Sequence, residues 1–318
     1  MLQAFIDSYL GRRQLTVFRY HGVLPAFDPL RPEETTREVF NWQMAVLKQF
    51  FNVLPFAEAV RRLQDGCLPP RAVTLTFDDG YADNAEIALP ILKKYRLPAT
   101  FFIISGAFDG KPMWNDRIIE MVRQCSDNSL DLSAFDLGNH TLADDAQRNR
   151  AIERIIQHLK YTPLAHRMEI VDAVMEATAT RLPRLMMSAE QAKAMRDAGM
   201  EIGAHTVNHP ILSKLENSEA LREIADGKAC LEHLLGEKIM SFAYPNGKPD
   251  QDYGGEHVVM LKKLGFKQAV STSWGVCRQG MDPLQLPRMA PSIVSKMHFV
   301  GRVWQNARIV PDFAQAGS

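Results

Sequence analysis

The sequence has no apolar run approaching the ~18 to 20 residues that span a bilayer. It also lacks an excess of either charge and any paired cysteine motif. With 37 basic and 37 acidic residues its formal net charge is +0. No global field therefore draws the chain to nucleic acid or to an anionic membrane. The cysteines, Cys67, Cys125, Cys230 and Cys277, are scattered. Without a Cys-x-x-Cys pair they argue against a cysteine-built zinc site and a dense disulfide framework, and they fit a reducing compartment. Internal repeats and low-complexity tracts are absent. The N-terminal stretch 1–20 is amphipathic, with Asp7, Arg12 and Arg13, and has no basic segment ahead of an unbroken apolar core. That is a poor signal peptide, so the expected location is cytoplasmic.

What is present has the balance of a folded globular protein, 46% hydrophobic and 23% charged over 318 residues, enough for one large domain. Short β-rich runs alternate with helical patterns. Strands are expected at 15–20, 72–77, 99–104, 200–204, 240–244, 266–271 and 284–289. Most are apolar throughout, as parallel strands covered on both faces should be. Between them the periodicity predicts helices over 36–51, 56–64, 84–95, 218–235 and 257–264. Pro90 should kink or break the third of these. Ser188 and Gln191 resemble a capping box for a further helix that Gly199 stops. Between Ile104 and Leu185 only helices are expected, at 114–125, 144–159 and 163–178. The alternation predicts an α/β fold, a distorted (β/α) barrel of about seven parallel strands. One domain spans 1–318, with a helical insertion over about 105–185 beside the barrel mouth.

Chemistry gathers at the C-terminal ends of barrel strands. Asp78 and Asp79 follow one strand; His205 and His209 follow another. Adjacent carboxylates repel unless something positive lies between them. Imidazoles at i and i+4 can reach one cation. One carboxylate can hold that cation while the other accepts a proton from an attacking water. An Asp79-Gly80 turn and two loop histidines are the plainer readings of the same residues.

Thr76-Phe77-Asp78-Asp79-Gly80, then His205-Thr206-Val207-Asn208-His209, then the Pro245-Asn246-Gly247 loop resemble the polysaccharide deacetylases, carbohydrate esterase family 4. The resemblance runs from Val17 to Pro291, apart from the insertion. It implies a distorted (β/α) barrel and metal-dependent removal of an acetyl group from a sugar or polysaccharide. Carried onto this sequence, it makes Asp78 the general base and Asp79, His205 and His209 the metal ligands. One divalent ion is expected, zinc first, with cobalt or nickel as substitutes. The segment 243–247 matches the one that supplies an oxyanion-binding N–H, here from Asn246. An ordinary Pro-Asn-Gly turn is the plainer account.

The sequence departs from better-known members in three ways. Ala243 stands where they carry an arginine that orients the base, and Asn246 stands where they carry an aromatic. Arg288, at the end of the last expected strand, is the candidate replacement for the arginine. The Leu-x-His motif that supplies the general acid in many members is also missing. His298 lies in a helical tail and is discounted. Tyr20-His21 is similar to exopolysaccharide deacetylases with a permuted motif order, which makes His21 the candidate acid. Tyr81, Trp114, Asn115, Asp116 and Trp274 are candidates to line a sugar groove, with plain packing as the alternative for each. The expected partner is an acetylated saccharide, N- or O-acetylated. The other readings are hydrolysis of a non-sugar amide on the same fold, or a catalytically weak carbohydrate-binding protein.

Overall fold

A computed structural model describes residues 14–291, 295–306, 309, 311 and 313. The amphipathic start over 1–13 lies outside them. The elements run β1 (Gln14–Tyr20), β2 (Val23–Leu24), β3 (Thr35–Thr36), α1 (Arg37–Phe50), β4 (Asn52–Val53), α2 (Phe56–Gln64), β5 (Ala72–Phe77), α3 (Leu89–Tyr95) and β6 (Thr100–Ile103). An inserted unit follows: α4 (Trp114–Gln124), β7 (Ser129–Leu132), β8 (Gly138–Thr141), α5 (Asp145–Lys160) and α6 (Leu164–Ala177). The barrel resumes with α7 (Ala189–Asp197), β9 (Glu201–Ala204), α8 (Asn217–Leu235), β10 (Ser241–Ala243), α9 (Gly255–Lys263), β11 (Gln268–Val270), β12 (Cys277–Arg278) and α10 (Lys296–Asn306).

The sheet order is β11-β10-β9-β6-β5-β1-β12, parallel from β11 through β1, with β12 antiparallel to the start of β1. The segment 284–289 closes it. Met289 N–H donates to Val17 O and Arg19 N–H to Met289 O, both at 2.9 Å. On the other side Leu286 N–H donates to Ala269 O and Ser271 N–H to Leu286 O, again at 2.9 Å. The seventh expected strand therefore exists as parallel bridges, not a full ladder. Pro287 has no N–H to contribute, which is why the ladder breaks there.

Side chains alternate across each strand. Phe18, Val73, Leu75 and Phe77 face the helices and join the larger core with Phe40, Leu92 and Phe101. Leu15, Val17, Ala72 and Leu286 pack into a second cluster with Phe102, Ala243 and Val270. Two residues on from Val17 and Leu286 come Arg19 and Arg288. The same inward face thus changes from apolar to cationic at the C-terminal rim.

One expectation needs correction. The inserted region is not all helical: β7 and β8 form an antiparallel hairpin, Ser129↔Thr141 to Leu132↔Gly138. Four-residue strands with alternate exposed polar positions give too short a period-2 signal to read. The regular α-helix is broken just before Pro90, as expected. A π-helical turn, Asn84–Ala88, leads into α3, and Pro90 falls in the first turn, where its N–H is not needed. Elsewhere the capping box of Ser188 and Gln191 is formed, and His298 is exposed on α10. No helix among the described residues is long and apolar enough to cross a membrane.

The barrel interior is tightest at Gly203, where an added Cβ would lie 2.4 Å from the Phe102 ring. Gly203→Ala should cost about 1–3 kcal/mol by overpacking, measured by urea unfolding. An unchanged midpoint would contradict this packing.

Candidate metal centre and catalytic rim

Asp79, His205 and His209 meet at the rim. Asp79 Oδ1 lies 3.4 Å from His205 Nε2 and 3.5 Å from His209 Nε2. These are long for hydrogen bonds. They match the ~3.4 Å edge of a tetrahedron built on zinc-to-ligand distances of about 2.1 Å. His205 Nδ1 donates to Ala243 O at 2.7 Å, which turns the Nε2 lone pair of the neutral ring toward Asp79. Burial drives the His209 pKa down to about 4, against the pull of Asp79. Burial also lowers His205, but the close Asp79 carboxylate and the charge of Asp78 outweigh that and raise it. The donor set, one carboxylate and two imidazoles in one buried cluster, fits a divalent cation.

The backbone is strained where these side chains converge. Asp79, Thr206, His209 and Asn246 all have positive φ, at 73°, 64°, 55° and 58°. A β-branched residue such as Thr206 adopts this only when its surroundings impose it. Here α8 imposes it. Glu223 Oε2 accepts from Val207 N–H at 3.0 Å and Asn208 N–H at 2.9 Å, and the Gly227 backbone packs against Thr206. Gly80, with φ of 86°, completes the turn after Asp79. The Asp-Gly turn and the ligand cluster are therefore one feature.

Asp78 faces Arg288. Nη1 donates to Oδ1 and Nη2 to Oδ2, each at 2.7 Å. Arg288 is 1% exposed; its Nε donates to Ser271 O at 2.9 Å and Nη1 also to Thr76 Oγ1 at 3.2 Å. Burial alone would raise the Asp78 pKa, but the Arg288 guanidinium more than reverses it and holds the carboxyl far below the usual range. Ala243 contributes its carbonyl to His205, and its Cβ lies buried in the barrel.

A cavity of about 370 Å³ opens over these groups, within the range of small-ligand clefts. His21, Tyr81, Trp114, Asn115 and Asn246 line it together with Asp78, Asp79, His205 and His209. Burial and the nearby Arg19 and Arg288 charges lower the His21 pKa, only partly opposed by Asp79 and Asp78. The Asn246 N–H meets no acceptor among the described residues. Two expected substrate contacts lie elsewhere. Asp116 is fully buried behind the wall, accepting from Tyr81 Oη at 3.1 Å and Arg31 Nη1 at 2.6 Å. Trp274 is 37% exposed and outside the cavity, with Arg302 over its ring at 5.5 Å. Asp116 therefore orients Tyr81, and Trp274 lies after the end of β11 but turned outward.

Several lining residues escape the sequence reading. Arg19 was legible in principle, as a single charge inside an apolar strand. Glu34, Lys160 and Arg167 sit in polar loops or helices where one charge carries no signal. Glu34 accepts from Gly22 N–H at 3.0 Å, and burial, with the charge of Asp83, pushes its pKa up to about 8.

A closed α/β barrel with its polar cluster on the C-terminal rim is the layout of a barrel enzyme. A sequence model of the polysaccharide deacetylase family matches residues 65–269, and the chain belongs to that family. Its class is therefore that of the polysaccharide deacetylases, hydrolases that remove acetyl groups from glycans. His21 and Arg288 both lie outside the matched range. The Bacillus subtilis protein YxkH is 22% identical over 282 residues, 88% of this chain and 73% of that protein. The poly-β-1,6-N-acetyl-D-glucosamine N-deacetylase of Staphylococcus aureus is 34% identical over 86 residues, 27% of this chain and 30% of its own length. Among solved structures, the Streptococcus pyogenes deacetylase PplD in complex with acetate has a TM-score of 0.62 at 20% identity, covering 91% of this chain and 97% of that one. IcaB from Ammonifex degensii has a TM-score of 0.60 at 23% identity, covering 93% and 97%. At such identities the likeness carries the fold.

Removing Arg288 leaves a buried, uncompensated Asp78. Arg288→Met should destabilise the protein by about 3–5 kcal/mol at pH 7. In the native protein the depressed Asp78 pKa contributes stability above the unfolded value of ~3.9, lost only as pH falls through the folded value. In the variant burial raises the Asp78 pKa, so acid protonates it and relieves the cost. The stability gap by urea unfolding should therefore narrow from pH 7 to pH 4; a constant or widening gap would contradict the pairing.

Proposed function

We propose that this chain hydrolyses the N-acetyl group of a saccharide with Asp78 as general base, Asp79, His205 and His209 as metal ligands, and zinc as the resident ion. The observation that carries this reading is the meeting of the Asp79–His205–His209 cluster and the Arg288-bound Asp78 in one cavity. A borderline-soft ion suits one carboxylate and two imidazoles, so cobalt or nickel can replace zinc. Held there, the ion supplies Lewis acidity: it lowers the pKa of water and polarises a carbonyl.

The protein does the rest. Asp78 accepts the proton of the attacking water, and Arg288 keeps it ionised and its lone pairs in a fixed plane. The Asn246 N–H, left without an acceptor, donates to the oxyanion that forms on the acetyl carbon. His21 gives a proton to the departing nitrogen. Its lowered pKa means that the ring rests neutral, so the proton it delivers is the one Asp78 has taken from water. Tyr81, steadied by Asp116, and Trp114 with Asn115 face the sugar. The name of the staphylococcal relative supports an N-acetylated glycan. The cysteines, all unpaired, support the cytoplasmic location expected from the sequence.

Acetate release from N-acetylglucosamine oligosaccharides tests this reading. Chelated protein should be inactive and regain turnover with zinc, cobalt or nickel. His205→Ala and His209→Ala should lose the bound equivalent, read by elemental analysis. His21→Ala should keep the metal and lose about 10²–10⁴-fold in turnover; near-normal turnover in that variant would remove His21 from the mechanism.

A further inference from the structure

The outer wall of the cavity carries a charge that the reaction does not use. Arg167, on α6, lines the cavity yet is only 3% exposed. Its guanidinium lies 4.6 Å over the Trp114 ring, and Nη1 donates to Lys160 O at 3.1 Å, at the carbonyl end of α5. Its Nε is buried without a hydrogen-bond partner. Lys160 itself lines the same wall.

Other withdrawn arginines nearby have carboxylates: Arg288 has Asp78, Arg31 has Asp116 and Arg117 has Asp172, and half-buried Arg19, which lines the same cavity without an ion pair, lies in the field of Asp78, Asp79 and Glu34. Arg167 and Lys160 have none within ion-pair reach among the described residues. Of the acids on the same helix, Glu169 pairs with His166 and Asp172 with Arg117, and Glu176 is exposed more than two turns further along. Within the cavity, Asp78 is bound to Arg288, Asp79 faces the imidazoles, and Glu34 accepts from Gly22 N–H. Burial pushes the Arg167 pKa down with no carboxylate to hold it up. A guanidinium withdrawn from water without a counter-charge is unfavourable, and α5 needs only one of its donors. The protein as a whole is neutral, so this charge is local.

We propose that Arg167 and Lys160 form a subsite for an anionic group, a phosphate or a carboxylate, carried by the saccharide beside its acetylated residue. Trp114 has one face covered by Arg167 and braces that guanidinium as well as facing the sugar. The inference deepens the deacetylase reading and rests on it: the insertion selects an acidic glycan, while the barrel rim performs the hydrolysis.

Three N-acetylglucosamine disaccharides test it on the zinc-loaded full chain: a neutral one, one with a glucuronate neighbour and one with a phosphomonoester. At low salt kcat/KM for an anionic substrate should exceed that for the neutral one by about tenfold, and the preference should shrink as salt rises. Preference for the uronate alone or the phosphate alone identifies the group, and either supports the subsite. The preference should collapse in Arg167→Met and in the surface variant Lys160→Met, and persist in part in Arg167→Lys. Equal kcat/KM for all three, or a preference that both methionine variants retain, overturns the proposal and leaves the deacetylase reading standing. If none releases acetate, that reading fails, and calorimetric binding of the same three decides the subsite. Tighter anionic binding lost in Lys160→Met supports it; equal binding overturns it.

Discussion

The fork between Arg288 and Asp78 is the constraint on which the rest of the rim depends. It joins a segment that closes the barrel to the strand that carries both aspartates, and its Nε bond to Ser271 adds the end of β11. Three elements far apart in sequence are tied at one buried point. Without the guanidinium, burial would neutralise Asp78 and remove its basicity. With it, Asp78 stays ionised beside a second carboxylate, and that second carboxylate is left to face the two imidazoles. The arrangement separates the roles of two adjacent, chemically identical side chains.

The remaining geometry follows from strand alternation and local strain. Inward positions that are apolar low in the barrel become Arg19 and Arg288 at the top. Past the strand ends the chain turns through left-handed conformations at Asp79, Thr206, His209 and Asn246. Asp79, His209 and Asn246 thereby line the same cavity, and α8 holds the histidine turn through Glu223. The inserted unit has its own apolar core and reaches the barrel through Arg31–Asp116 and Arg123–Asp28. Through Trp114, Asn115, Lys160 and Arg167 it supplies the outer wall of the cavity.

The barrel was legible because its strands are short apolar runs ending in polar residues, a local pattern. The Asp79–His205–His209 cluster was legible because its members lie in two short motifs, each of five residues. Arg288 was reached by asking what replaces an arginine missing at Ala243 and which strand end shares the rim. Other features depend on distance in sequence and leave no local mark. Asp116 looks like a groove residue beside Trp114, and only the fold reveals Arg31 opposite it. Trp274 follows the right strand, but the direction of its ring is set by α10 packing. The β7–β8 hairpin is too short and polar to show a period. The isolation of Arg167 is a statement about what does not surround it, which no sequence pattern encodes.

The central claim is that one cation sits among Asp79, His205 and His209 while Asp78 stays with Arg288. Anomalous diffraction from zinc-soaked crystals measures this directly. The account predicts a single strong peak about 2.0–2.2 Å from one Asp79 oxygen and the two Nε2 atoms, with the Arg288–Asp78 fork intact. A peak elsewhere, or Asp78 drawn off Arg288 into the coordination sphere, would contradict it.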